Sequence, residues 1–392
     1  MAYALAPCEP FRAASHVPCA ALSWQPYKYC PQVTSEIRAP HGLCVDPGTR
    51  IRSAMALTAT ETIPAIVAAG DQRAARAIDG QSKVYLEVAD RPLVAHVVIT
   101  LQQVPEISAV WVVGDAERLR AVFSDAAIAS ELTKPLHVVP QFRSLYENAW
   151  ETFRRSLTGT PEKGRDPTED ELDREALFLS ADLPFATPLE ISHFIQVSRA
   201  GECDYALGLV PEAALIPFRP SAGKPGIEVA CFNTRDGRLR QNNLHLVRPG
   251  RLGNRFYIEE MYEYRHQREW RDMMGLAWRL LRSERGGLAV LFAFLALHVA
   301  GLADRWHLRR FADALRQNVS VGRVEAGISK LLDTRFRFIT IEAGGAAIDI
   351  DTPTEYDAVV ERFGEWREIQ QELAQELYGP AAVGPGDGEE SR

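Results

Sequence analysis

Close cysteine pairing is the first thing this sequence lacks. Its six cysteines, Cys8, Cys19, Cys30, Cys44, Cys203 and Cys231, form no CxxC pair, which excludes the usual zinc ribbons and dithiol redox motifs and fits a reduced, cytoplasmic protein. His245, His266 and His307 show no ligand spacing with other His or Cys, which argues against a metal role for them. A basic excess is also missing. The formal net charge is -8, against the positive surface that nucleic-acid binding requires. No apolar h-region precedes a small-residue cleavage site, so the chain has no signal-peptide layout.

What remains is an ordinary globular composition, 46% hydrophobic and 24% charged over 392 residues, with room for a sizeable core. Residues 1–58 are rich in Pro and Ala without a regular period and end just after Met55. They are expected to be a disordered leader or an upstream over-extension of the reading frame. From Ile63 onward apolar runs alternate with helical patterns, the mark of an α/β sheet with crossover helices. Strands are predicted at Ile63–Ala69, Ile107–Val113, Leu136–Val139, Ala176–Ser180, Tyr205–Val210, Phe336–Ile341 and Ala346–Ile350. Helices are predicted at Leu93–Val104, Ala116–Phe123, Ser144–Leu157 and Leu189–Ala200. Residues 59–233 and 334–378 form the core on this reading, 234–333 a mostly helical insert, and 379–392 a polar, Gly/Pro-rich tail that is too solvated to pack.

The chain is organised around Ile63–Leu93. A short apolar strand ends at Ala69-Gly70, and a polar loop carrying Arg73 and Arg76 runs to Lys83. Val84–Val88 reads as a brief extended piece, and Pro92 opens a helix. Bare backbone N–H groups and fixed positive charge in such a loop meet a polyphosphate together.

Two later turns are built alike. Asp182 in SADLPFATPLE and Asp349 and Asp351 in DIDTPTEY each follow an apolar run. Each turn then enters a helix through a capping box with Pro at its first position, Thr187-Pro188-Leu189-Glu190 and Thr352-Pro353-Thr354-Glu355. The carboxylates therefore sit at the carboxyl ends of strands, where open α/β sheets bind ligands. Two such aspartates can share one Mg²⁺, which takes a couple of carboxylates plus water and phosphate oxygens.

In order, Ala69, Gly70, Arg76, Lys83 and Arg91-Pro92-Leu93 resemble the signature of the MobA-like nucleotidyltransferases. These enzymes join a nucleoside triphosphate to a phosphorylated acceptor and release pyrophosphate. Asp71 stands where a second glycine is usual and no Met-Gly follows Arg76, which predicts a reshaped phosphate cradle. The resemblance covers roughly 63–233 and 334–365. It implies a mixed, mostly parallel, Rossmann-like sheet of the nucleotide-diphospho-sugar transferase type. It further implies a metal held by Asp182 and Asp351 with Asp349 beside them, nucleotide-binding residues at Ala69 and Gly70, and base-reading groups at Gln141 and Asn148. Arg73, Arg76 and Lys83 would hold the triphosphate and stabilise the leaving group.

The polar cluster at Arg240, Asn242 and Asn243 fits either a grip on the acceptor phosphate or a hairpin returning to the sheet. Gly286–Ala303 carries no formal charge and at about 1.5 Å per residue would reach roughly 27 Å. It lies between Asp182 and Asp351, so a single membrane crossing would separate the metal ligands. A buried helix is expected there, with peripheral membrane contact as the alternative because arginines flank it. The expected function is an Mg²⁺-dependent nucleotidyltransferase acting on a sugar-1-phosphate-like acceptor. The rivals are a glycosyltransferase using Asp349-Ile350-Asp351 as a DxD motif and an inactive nucleotide-binding regulator.

Overall fold

The computed structural model describes residues 61–70, 77–78, 80–221, 223–255, 257–258 and 319–380, all within the compact unit Ala59–Arg392. The leader, Arg73 and Arg76, the apolar stretch 286–303 with most of the insert, and the tail from 381 lie outside the described residues. No described helix is long and apolar enough to cross a membrane.

Eight strands make one sheet: β1 (Ile63–Ala69), β2 (Ile107–Gly114), β3 (Leu136–Pro140), β4 (Ala176–Ser180), β5 (Tyr205–Pro211), β6 (Phe232–Thr234), β7 (Gly237–Val247) and β8 (Phe336–Thr340). Their order is β8-β5-β7-β4-β1-β2-β3, with β6 paired to β7. β1 lies parallel between β2 and β4, β2 pairs parallel with β3, and β8 pairs parallel with β5. β7 runs antiparallel to both its neighbours, so the sheet is mixed but mostly parallel. Strands covered on both faces read as continuous apolar runs, as in IPAIVAA of β1. Pro64 is tolerated because the register with β2 shifts between Ile63 and Pro64.

The described helices of eight residues or more are α1 (Leu93–Gln102), α2 (Ala116–Phe123), α3 (Leu145–Ser156), α4 (Pro188–Ala200), α5 (Val321–Leu332) and α6 (Pro353–Tyr378). Every residue of α1 is buried, which is why its pattern is apolar all round rather than striped. α6 is a 26-residue helix that covers α1 and α4. Its Trp366 is fully buried against Phe185 and Phe218, with ring centroids 5.6 and 5.3 Å away, and its indole N–H donates to the Pro217 carbonyl at 2.9 Å. Phe185 belongs to the turn that carries Asp182, so this aromatic group fastens α6 beneath that turn.

Three expected elements differ. Residues 237–247, placed by sequence in a helical insert, are a sheet strand, so the hairpin reading of the Arg240 cluster is the one observed. Ala346–Ile350 is a short 3-10 turn, Gly345–Ala347, followed by irregular chain. It is apolar because it is buried; Ala347 and Ile348 donate within the turn to Gly344 and Gly345, and the chain leading into it is bound by side chains instead of a neighbouring strand. The Glu342 and Ala343 N–H groups donate to the Tyr378 hydroxyl, Gly344 to Gln370 and Ala346 to Glu190. Val84–Val88 is not one extended piece. Lys83–Tyr85 is a 3-10 turn, and Glu87–Val88 pairs with Arg91–Pro92. The link between them, Ala89 and Asp90, has φ of 50° and 60°, the left-handed pair of a two-residue hairpin.

Trp366→Ala should lower stability by about 3–5 kcal/mol, the range for emptying a large aromatic site in a core. Urea denaturation followed by circular dichroism measures it.

Candidate active site

The carboxyl ends of β1, β2 and β3 make the first wall of the site. Ala69 is opposite Gly114, and Gly114 opposite Pro140. A Cβ on Gly114 would lie 2.4 Å from the Ala69 carbonyl oxygen, so only glycine lets β1 and β2 end this close together. The Gln141 N–H donates to the Gly114 carbonyl at 2.9 Å. A side chain on Gly70 would meet Gln141 Oε1 at 3.5 Å and Asn148 Nδ2 at 3.6 Å. Ala69, Gly70, Gln141 and Asn148 therefore come together at one edge. Asn148 is buried and its Oδ1 accepts from the Phe142 N–H at 2.7 Å, so that oxygen orients the β3–α3 loop.

Lys83 reaches the site from its 3-10 turn, whose Val84 and Tyr85 are buried. Its Nζ is ion-paired with the Asp182 carboxylate and lies 2.8 Å from Asp351 Oδ1, 268 positions along the chain. Burial on its own would lower the ammonium pKa. Asp182, and then Asp351, more than reverse this and hold it above the ordinary lysine value.

Asp182 follows β4 and is 1% exposed. The Ala181 N–H continues the ladder by donating to Ala68 at 3.1 Å, which fixes Asp182 at the end of β1. The Ser180 hydroxyl donates to Asp182 Oδ1. Asp351 enters the site at the start of α6, where its N–H and that of Thr352 donate to Glu355 at 2.8 and 2.9 Å. The carboxylates of Asp182, Asp349 and Asp351 each offer an oxygen within 4.8 Å of the others. Burial pushes the Asp349 carboxyl pKa up and Asp182 and Asp351 push it further, while Arg240 and Lys83 oppose them.

Arg240 is not turned out toward a substrate. Its Nε donates to the Ala347 carbonyl at 2.9 Å and its Nη2 to Asp349 Oδ1 at 2.7 Å, so it braces the acidic loop. Asn242 is fully buried at the register shift of β7, where its Oδ1 accepts from the Leu244 N–H at 3.1 Å. The amide lies over Gly208, where any side chain would collide with it. Its role is to fill the bulge, because a wholly buried amide has no face left for an acceptor. Asn243 is half-buried on the same strand. Sequence reasoning missed Ser180, Gly114 and the bracing role of Arg240. The Ser-x-Asp spacing was a usable signal for the first, whereas the other two depend on pairings distant in sequence.

Residues 65–234 match the model of the MobA-like NTP transferase domain. The chain thus carries a nucleotidyltransferase domain. It contains Gly70, Lys83, Gln141, Asn148 and Asp182, and ends at β6. Asp349 and Asp351 reach the MobA-like domain from outside the matched stretch.

Three solved structures align over most of the chain with low similarity. A hypothetical transferase from Thermus thermophilus is 21% identical, covering 76% of this chain and 100% of its own, with a TM-score of 0.45. A 4-diphosphocytidyl-2C-methyl-D-erythritol synthase from Anaerococcus prevotii DSM 20548 is 12% identical over 78% and 99%, TM-score 0.39. A CMP:2-keto-3-deoxy-manno-octonic acid synthetase complexed with CTP is 13% identical over 81% and 100%, TM-score 0.36. No protein of curated function matches the sequence.

Behind the acidic turns, Glu190 of α4 is completely buried, and burial pushes its carboxyl up to about 8 despite N–H donors from Ala346 and Thr187. The folded protein therefore keeps this proton at neutral pH, while the unfolded carboxyl releases it near 4.5. Its contribution to stability is fully present below the unfolded value and is lost as pH rises through the folded one. The melting temperature of the wild type should fall relative to Glu190→Gln between pH 5 and pH 8, measured by calorimetry across that range.

Proposed function

We propose that this protein is an Mg²⁺-dependent nucleotidyltransferase of the cytoplasm that joins a nucleoside triphosphate to a phosphorylated, sugar-1-phosphate-like acceptor. The observation that carries the reading is the convergence of Lys83 with Asp182 and Asp351 beside the Gly70 edge. An acceptor phosphate oxygen attacks the α-phosphorus and forms a new P–O bond. The bond from the α-phosphorus to the bridging oxygen breaks, and pyrophosphate leaves with that electron pair. Such a displacement needs no protein nucleophile, because positioning and charge neutralisation carry most of the catalysis.

The residues present suit a hard divalent cation. Three carboxylates, from Asp182, Asp349 and Asp351, face two side-chain cations, Lys83 and Arg240, so the cluster has one formal negative charge in excess. Asp182 and Asp351 would hold Mg²⁺, with Asp349 beside them, and the ion when bound would neutralise charge on the triphosphate. The Lys83 ammonium stays charged and stabilises negative charge gathering on the departing pyrophosphate. Arg73 and Arg76 are assigned to the triphosphate from their place in the loop, and Gln141 and Asn148 to the nucleotide from their place against Gly70. Arg240 acts through Asp349, leaving Asn243 as the β7 residue assigned to the acceptor side.

Lys83→Met and Asp182→Asn keep the buried stem and shape of each side chain. Each should lower pyrophosphate release by about a hundredfold or more, the usual loss when one preorganised charge partner is removed. Coupled pyrophosphate detection across nucleotides and phosphorylated acceptors measures this. Release of free nucleoside diphosphate from a nucleotide sugar would replace this reading with a glycosyltransferase. Triphosphate binding by calorimetry without turnover on any acceptor would replace it with a regulator.

A further inference from the structure

We propose that Glu190 is a positioning residue for the cation site: its carboxyl group ties the turn carrying Asp182 to the loop carrying Asp349 and Asp351 and so sets the gap between them. The inference rests on the reading of those aspartates as cation ligands.

The two capping boxes look the same in sequence but use their glutamates differently. Glu355 stays within its own turn, accepting from Asp351 and Thr352 at 2.8 and 2.9 Å. Glu190 makes only a long 3.5 Å contact with the N–H of its own Thr187. Its shorter bonds cross to the other acidic loop, where the Ala346 N–H lies 3.1 and 3.2 Å from its two oxygens.

A cap does not require this arrangement. An exposed glutamate serves that purpose without desolvation, whereas Glu190 is wholly buried, at a cost that needs a compensating role. The backbones meet directly beside it. A Cβ on Gly345 would lie 2.1 Å from the Phe185 carbonyl oxygen and 2.9 Å from Glu190 Oε2. Phe185 is three residues beyond Asp182, and Ala346 three residues before Asp349. On the next residue, Arg240 holds the Ala347 carbonyl and, through a second nitrogen, Asp349 itself. The loop is thus pinned at consecutive residues from both sides, so its aspartates have little freedom to move relative to Asp182.

The test is a titration of the full chain with Mn²⁺ alone, followed by electron paramagnetic resonance. Glu190→Ala should weaken Mn²⁺ binding by about tenfold or more, as loss of an orienting partner behind a metal site does. Glu190→Gln, whose amide oxygen can still accept from Ala346, should stay close to wild type. Thr187→Val removes the helix cap but leaves the cross-bond, and should also stay close. Undiminished binding in Glu190→Ala would overturn the inference, as would an equal loss in Thr187→Val. If the wild type itself holds no Mn²⁺, the cation reading under Proposed function fails. Amide exchange at Ala346 then decides the tie: faster exchange in Glu190→Ala supports it and an unchanged rate refutes it. Should Glu190→Ala not fold, Glu190→Asp, one methylene too short to span the gap, takes its place with the same expectations.

Discussion

Crowding of like charge is the constraint on which this structure depends. A pair of unit charges 4.8 Å apart repels by roughly 3 to 4 kcal/mol at an effective dielectric of about 20. Asp182, Asp349 and Asp351 each bring an oxygen within that distance of the others in a place where one is buried and one partly so. Such a cluster survives folding only if cations are supplied at fixed positions. Lys83 supplies one between Asp182 and Asp351, and Arg240 supplies another on Asp349. Each comes from a different element, so the electrostatics of the site and the tertiary structure are one problem.

The sheet topology solves it. A purely parallel sheet would deliver only strand ends and their loops to this edge. β7, running antiparallel between β4 and β5, brings Arg240 along the strand to a position beside the acidic loop. Opposite it, α6 begins at the second acidic turn and ends with Tyr378, whose hydroxyl collects the N–H groups of Glu342 and Ala343. One helix therefore both presents Asp351 and secures the segment leading to it. The aromatic contact of Trp366 with Phe185 does the same for the Asp182 turn.

Much of this was readable in the chain because local rules and tertiary structure agree. β4 and α2 lie where periodicity placed them, and the paired capping boxes located the starts of α4 and α6 to within a residue. The same boxes mark the two turns whose aspartates, Asp182 and Asp351, meet at Lys83. The signals failed where partners are remote. RLRQNNLHL in β7 is too polar for a buried strand by pattern alone, yet Asn242 is accommodated by a bulge and by the missing side chain of Gly208. Ala346–Ile350 has the composition of a strand, but Ala343, Gly344 and Ala346 at its start donate to Tyr378, Gln370 and Glu190, which no window of sequence brings together. Arg240 read as a group awaiting a substrate because its partner is 109 positions away.

The limits of the matched domain sharpen this point. Residues 65–234 hold most of β1 and all of β2 to β6 with Lys83 and Asp182, but among the described residues of that stretch β5 has no strand to pair with. β4 and β5 are joined only through β7, and β8 adds only to β5. The matched segment therefore cannot close its own sheet, and Lys83 within it would face a single carboxylate. Its backbone edges must be paired from the same later residues that bring Arg240 and the second acidic loop. Completing the sheet and completing the site are the same event: the strand that satisfies the exposed edge of β4 carries the arginine that opposes the upward push of burial, Asp182 and Asp351 on the Asp349 carboxyl.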